Sequence, residues 1–211
     1  MLRPEDLIHS INKKCKNLFY NKFYLIPSTG HYNISVYRIQ GTANALNRFE
    51  IPFEPVKVLN WFDNFWVFLE VKFIYQELIV ERKKVKQIHI YISLSIFEGE
   101  ETDDIKNQLF RAEWDDYQNP NEKHSQPHWH ITSHQALEKT FTEYSNSFDN
   151  GDFLALLEEE KEKLFDVKNI HFAMNGNWQN DESHIHKLDD IDKITKWLQG
   201  VLKHIRVELE Q

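Results

Sequence analysis

Two consecutive stretches alternate so regularly that they leave the chain little freedom in how it folds. Phe65, Val67, Leu69, Val71, Phe73 and Tyr75 occupy every second position, with Trp66, Phe68, Glu70, Lys72 and Gln76 between them. After a basic run, Arg82-Lys-Lys-Val-Lys86, Ile88, Ile90, Ile92, Leu94 and Ile96 alternate with Gln87, His89, Tyr91, Ser93 and Ser95. Successive side chains of a strand point to opposite faces, so a period of two marks an extended segment with one apolar face. The basic run between the two reads as a solvated hairpin tip, where charge keeps a turn soluble. A short tip allows only antiparallel pairing, because parallel strands need a long crossover.

The remaining segments fall in with this sheet. Phe110, Ala112 and Trp114 face one way, and Arg111, Glu113 and Asp115 the other. Residues 32–39, around Ile34 and Val36, and residues 167–174, around Ile170, Phe172 and Met174, read as further strands. Segment 41–64, interrupted by Pro52 and Pro55, reads as irregular with one helical turn. Helical spacing begins at Pro4-Glu-Asp, with Leu7, Ile8, Ile11, Cys15, Leu18 and Phe19 on one face. Residues 134–145 and 152–164 read as central helices separated by Asn150-Gly151, with Asp152 as an N-cap. A long C-terminal helix from about Asp189 carries Ile191, Ile194, Trp197, Leu198, Val201, Leu202 and Ile205 as one stripe. Gly200 weakens it by about 1 kcal/mol relative to Ala. The expectation is one α+β domain over 1–211. It comprises an antiparallel meander of about five to six strands, with N-terminal, central and long C-terminal helices on its apolar face.

Composition bounds the function. The net charge of −8 argues against direct, unaided binding to nucleic acid, which needs clustered Lys and Arg to release counterions. The lone Cys15 excludes an intramolecular disulfide, fits a reducing compartment and reads as a small core residue. The first residues lack the basic-then-apolar order of a signal peptide, and no run approaches the roughly 18 apolar residues of a membrane helix. A cytoplasmic protein with no membrane partner is expected.

The chemistry concentrates in His124-Ser-Gln-Pro-His-Trp-His130. If this stretch is extended, His128 and His130 share one face, and Trp129 and Ile131 share the other. With helices on the apolar side, the polar faces of four strands gather together. They would present His89, Tyr91, Arg111, Glu113, Asp115, Gln126, His128, His130, Asn169 and His171. A slip of one residue would turn any strand over and scatter the group.

Three readings of that group stay open. In the first, His128, His130 and His171 with Glu113 or Asp115 hold a divalent metal such as zinc or manganese. The donor set suits such an ion, and a bound ion lowers the pKa of its water for hydrolysis. Arg111 would then grip an anionic group. In the second, the same imidazoles and carboxylates do acid–base chemistry without metal, as a nuclease could. In the third, Arg111 pairs with Glu113 or Asp115 and the histidines are satisfied locally, a polar network without catalysis. His184-Ile-His186 repeats the spacing in an acidic loop that reads as solvated.

Phe110-Arg-Ala-Glu-Trp-Asp115, a loop, and then the histidine stretch together resemble small uncharacterised bacterial families. Those carry an Arg-x-aromatic-Asp strand followed by His-Pro-x-x-His-x-His. Some look like TumE-type toxins, and others are encoded beside anti-phage defence genes. The likeness covers residues 108–131. It departs where Gln-Pro replaces a simple His-Pro, and where Glu113 precedes Trp114. Carried over, it singles out Arg111, Asp115, His124, His128 and His130. It implies an accessory or effector-binding subunit of a prokaryotic multi-protein system, in defence or toxin–antitoxin biology, with protein partners encoded nearby. The aromatic residues Trp61, Phe62, Phe65 and Trp66 fit an interface as well as a core.

Overall fold

In the computed structural model the described residues are 2–47, 54–80, 83–115, 127–131 and 190–210. They form eight strands and two α-helices. In order these are α1 (Pro4–Cys15), β1 (Leu25–His31), β2 (Ile34–Ile39), β3 (Ala43–Asn47), β4 (Glu54–Phe62), β5 (Phe65–Val80), β6 (Lys83–Glu98), β7 (Asn107–Asp115), β8 (His128–Ile131) and α2 (Ile191–Leu209). The sheet runs β1-β2-β5-β6-β7-β8, with β3 paired to β4 and β4 to β5, and every named pair antiparallel. The α+β class and the terminal helices match the sequence reading, whereas five to six strands was too few. The expected central helices at 134–145 and 152–164, and the strand at 167–174, lie outside the described residues.

The undercount has local causes. Pro27 sits in β1 opposite Tyr37, on the outermost of the described strands, where a sheet tolerates proline. Pro55 falls at the second position of β4, opposite Leu46. Pro55 stands near the start of β4 and does not interrupt it, so the segment taken as irregular holds β3 and β4 instead. The turn from β4 to β5 is Asp63-Asn64, closed by the Phe62↔Phe65 pair, with Asp63 in the left-handed region at φ 43°. Asp and Asn tolerate that conformation in a two-residue hairpin.

The spine is the β5–β6 hairpin. Each strand has 16 residues, and the register runs unbroken from Phe65↔Glu98 to Val80↔Lys83, a length of about 50 Å. One edge of β5 serves two neighbours in tandem: β4 pairs near Phe65–Val67, and β2 pairs along Glu70–Ile74. The alternation places Val67, Leu69, Val71, Phe73, Ile90, Ile92, Leu94 and Ile96 on one face, all buried. Both helices close the core that includes this face, with Leu7, Ile11, Leu198, Leu202 and Ile205 in it and the Trp197 ring tilted against Trp114 at 6.5 Å between centroids. The helices also hold each other: Ser10 and Thr195 hydroxyls lie 3.2 Å apart, and Gln199 Nε2 donates to the Lys14 carbonyl at 2.7 Å. Asp190 caps α2 by accepting from the Lys193 amide at 2.8 Å. Among the described residues, no helix is long and apolar enough to cross a membrane.

Candidate functional site

The second face of the sheet carries rows of polar side chains that follow from register alone. Arg38 pairs with Glu70, Glu70 with Ser93, Ser93 with Glu113, and Glu113 with His128. This is one row across β2, β5, β6, β7 and β8. The neighbouring rows place Ser95 beside Arg111 and Arg111 beside His130, and Lys72 beside Tyr91 and Tyr91 beside Asp115. Opposite residues of adjacent strands bring their side chains within contact. An arginine, a glutamate and two histidines therefore meet because β7 and β8 are in this register.

Glu113 is the centre. It is only 6% exposed, and Arg111 only 4%. Its Oε1 accepts from the Tyr91 hydroxyl and lies 2.7 Å from Arg111 Nε. Its Oε2 faces outward, 2.9 Å from His130 Nε2 and 3.6 Å from His128 Nε2. The two imidazoles meet at 2.7 Å between their Nε2 atoms, so one nitrogen carries the hydrogen and the other accepts it. Exposure rises along this line: the side chain of His128 is 22% exposed and that of His130 is 48%. Burial, and then the Glu113 carboxylate, drive the Tyr91 phenol far above its ordinary range. Tyr91 therefore stays protonated and remains a donor to Glu113.

The row extends inward. Glu70 is fully buried, with Oε2 at 2.7 Å from Arg38 Nε and Oε1 at 2.8 Å from Lys72 Nζ. Lys72 Nζ in turn lies 5.3 Å from the centroid of the Tyr91 ring. A belt of alternating charge thus links Arg38 to the histidines. Buried charges persist only when paired in this way.

Glu113, His128 and His130 have the chemistry and spacing of a metal-ligand set. Their ligand atoms lie within 4.8 Å of one another, and among the described residues they are the one such group. The separations of 2.7, 2.9 and 3.6 Å bracket the edge of about 3.3 Å that a tetrahedral ion with nitrogen and oxygen ligands needs. Two imidazoles and one carboxylate, the ligands among the described residues, also match the protein donor set of catalytic sites.

Of the residues singled out from sequence, Arg111, Glu113, His128 and His130 converge. Asp115 shares their face one step along β7, opposite Tyr91 and half-buried. His89 lies on the same face opposite Ile74 and is buried. His124, Gln126, Asn169, His171, His184 and His186 lie outside the described residues. Sequence reasoning gave Tyr91 no role, although it anchors Glu113, and it overlooked Arg38. The alternation that put Glu70 on the polar face of β5 was the signal that a cation should stand opposite. No family model, curated protein or solved structure matches this chain.

Proposed function

We propose that the protein is a metal-dependent hydrolase whose ion is held by Glu113, His128 and His130. One observation carries the reading: Tyr91 and Arg111 fix one carboxylate oxygen of Glu113, and the other is presented to both imidazoles. A carboxylate tied on one side and offered on the other is what outer-shell bonding does for a metal ligand. Zinc or manganese suits two nitrogens and one oxygen, and such an ion would supply an acidified water for hydrolysis. Within this chain, Arg111 and Tyr91 orient Glu113, and Asp115 and the outward-facing His130 are the groups best placed to meet a substrate. Nucleic acid is the first substrate class to test, with a partner supplying the basic surface that a chain of net charge −8 lacks.

The test uses untagged protein. Stoichiometric zinc or manganese by elemental analysis, with phosphodiesterase activity on single-stranded DNA or RNA, is the expected result. His128→Ala and His130→Ala should each remove metal and activity while the melting transition stays cooperative. Metal-free protein that binds neither ion at micromolar concentration defeats the proposal, as does activity that survives both substitutions.

A second reading, an accessory subunit of a prokaryotic multi-protein system, draws support from the far end of the spine. Among the described residues, the pairs from Glu77↔Lys86 to Val80↔Lys83 have no outer neighbour. Leu78, Ile79 and Val85 are exposed on this ribbon beside Lys83, Lys84 and Lys86. A bare two-stranded ribbon is marginal in water and gains from a partner. Co-purification with the products of adjacent genes, lost on Ile79→Glu, is the expected outcome. A monomer indifferent to them counts against it.

A further inference from the structure

A second site lies away from the histidines, where the β3–β4 hairpin meets the β1–β2 edge. A cavity of about 540 Å³ opens there, within the range of small-molecule pockets. Its walls are largely apolar, with Ile26, Leu46, Pro55, Phe68 and Ile105 among them. Ile26, Leu46 and Ile105 are 40%, 38% and 48% exposed, high for large aliphatic side chains around one opening. Gly41 is among the lining residues. A Cβ on Gly41 would stand 2.4 Å from the Lys57 carbonyl carbon and 2.5 Å from the Val58 amide nitrogen. Without one, the β2–β3 connection lies directly against β4, tied by the Thr42 amide to the Val58 carbonyl at 2.8 Å.

Among the described residues that line the cavity, Arg38 and Lys57 are the charged ones. Arg38 is held in place by Nε to Glu70 Oε2 at 2.7 Å and Nη2 to Glu54 Oε1 at 2.8 Å. A guanidinium has five N–H donors, so donors remain on a group that is already positioned. Lys57 Nζ donates to Asn44 Oδ1 at 2.7 Å, which steadies it beside the opening. Among the described residues, Glu70 and Glu54 balance Arg38 and Lys72, and Lys57 adds a positive charge beside the opening.

We propose that this cavity binds a small organic monocarboxylate with an apolar body, its carboxylate toward Arg38 and Lys57 and its body against Phe68 and Leu46. An apolar pocket with a few convergent polar groups is the usual form of such sites. A guanidinium and an ammonium at its edge select an anion over the neutral analogue. The site shares no residue with the metal ligands, so its fate is independent of theirs.

Isothermal titration of the full chain with 4-phenylbutyrate, octanoate and indole-3-acetate tests the proposal, with 4-phenylbutyramide as the neutral control. At least one acid should saturate a single site, and the amide should bind at least tenfold more weakly. Lys57→Glu should weaken the acid at least tenfold. Leu46→Trp, at an exposed position, should block it while leaving the melting temperature within a few degrees. His128→Ala should leave it unchanged. Saturation by none of the three acids up to 5 mM (a ceiling on the order of the weakest specific binding) overturns the proposal. Equal binding of acid and amide overturns it too, as does an affinity that Leu46→Trp does not alter.

Discussion

Glu113→Gln separates the shape of the candidate site from its charge. The amide keeps the size of the side chain, and its oxygen can still accept from Tyr91 on the side where Glu113 Oε1 does so now. Its NH2 would face His130, 2.9 Å from Oε2, and an imidazole nitrogen can accept it. What goes is the negative charge beside Arg111, whose Nε lies 2.7 Å away and whose side chain is 5% exposed. With charge centres about 4 Å apart at an effective dielectric near 20, the lost attraction is roughly 4 kcal/mol. Breaking one half of a buried pair costs about 3–5 kcal/mol in general. Arg111 makes further contacts, so the lower part of that range, about 3 kcal/mol, is expected. Urea unfolding gives the number from the midpoint shift at constant slope. Arg111→Met and the double variant complete the cycle, which should return a coupling of about 2 kcal/mol or more. Metal content should fall with the same substitution. A loss below about 1 kcal/mol with additive single effects would refute the idea that charge pairing holds the cluster together.

Three further outcomes follow from other parts of the structure. Lys106 is 1% exposed, and its Nζ donates to the carbonyls of Glu100, Glu101 and Asp103 while lying 4.8 Å from the Trp66 ring centroid. Lys106→Met should cost about 3 kcal/mol in urea unfolding, because the charge-assisted bonds go and water reaches only part of the loop. Burial pushes the Cys15 thiol from 9.0 up to about 12. Above pH 9 the unfolded chain releases that proton and the native one keeps it, so stability falls as pH rises toward 12. From pH 9 to 10.5 the native protein should lose about 2 kcal/mol more than Cys15→Ala; equal losses would show that the thiol ionises in place. A Cβ at Gly200 meets nothing within 4 Å, so Gly200→Ala should stabilise by about 1 kcal/mol by thermal melting.

How much of this was legible in the sequence depended on whether one face of an element was dry and the other wet. β6 alternates from Gln87 to Ile96 and β7 from Phe110 to Asp115, so the faces of their side chains could be read from the sequence, whereas strand order and register could not. α2 was legible for the same reason, since its stripe faces the core at helical spacing, although Thr195 and Leu209 extend it. β3 and β4 were not legible. Val56 and Val58 alternate, but Leu59 follows directly, and Trp61 and Phe62 are both buried at the end of the strand. A strand covered on both sides loses its period, and prolines at its margins then look like breaks. The same double burial affects β5, whose Trp66, Phe68 and Glu70 are inside despite standing on the polar face.

That double burial also decides what kind of site this is. A polar face open to water needs no pairing, since solvent satisfies each group separately. Here Glu70, Ser93, Ser95, Arg111 and Glu113 are all buried, so their charges are matched across strands. The belt from Arg38 through Glu70 and Lys72 to Tyr91 and Glu113 is the result. Alternation could place these residues on one side but could not say that the side was buried. The consequence for chemistry is direct. A carboxylate in a low-dielectric setting attracts a cation far more strongly than one in water. Arg111 draws on one oxygen of Glu113, and the other points to where burial ends and two imidazoles begin. The belt reaches solvent at His130, and there the proposed ion and a substrate would meet.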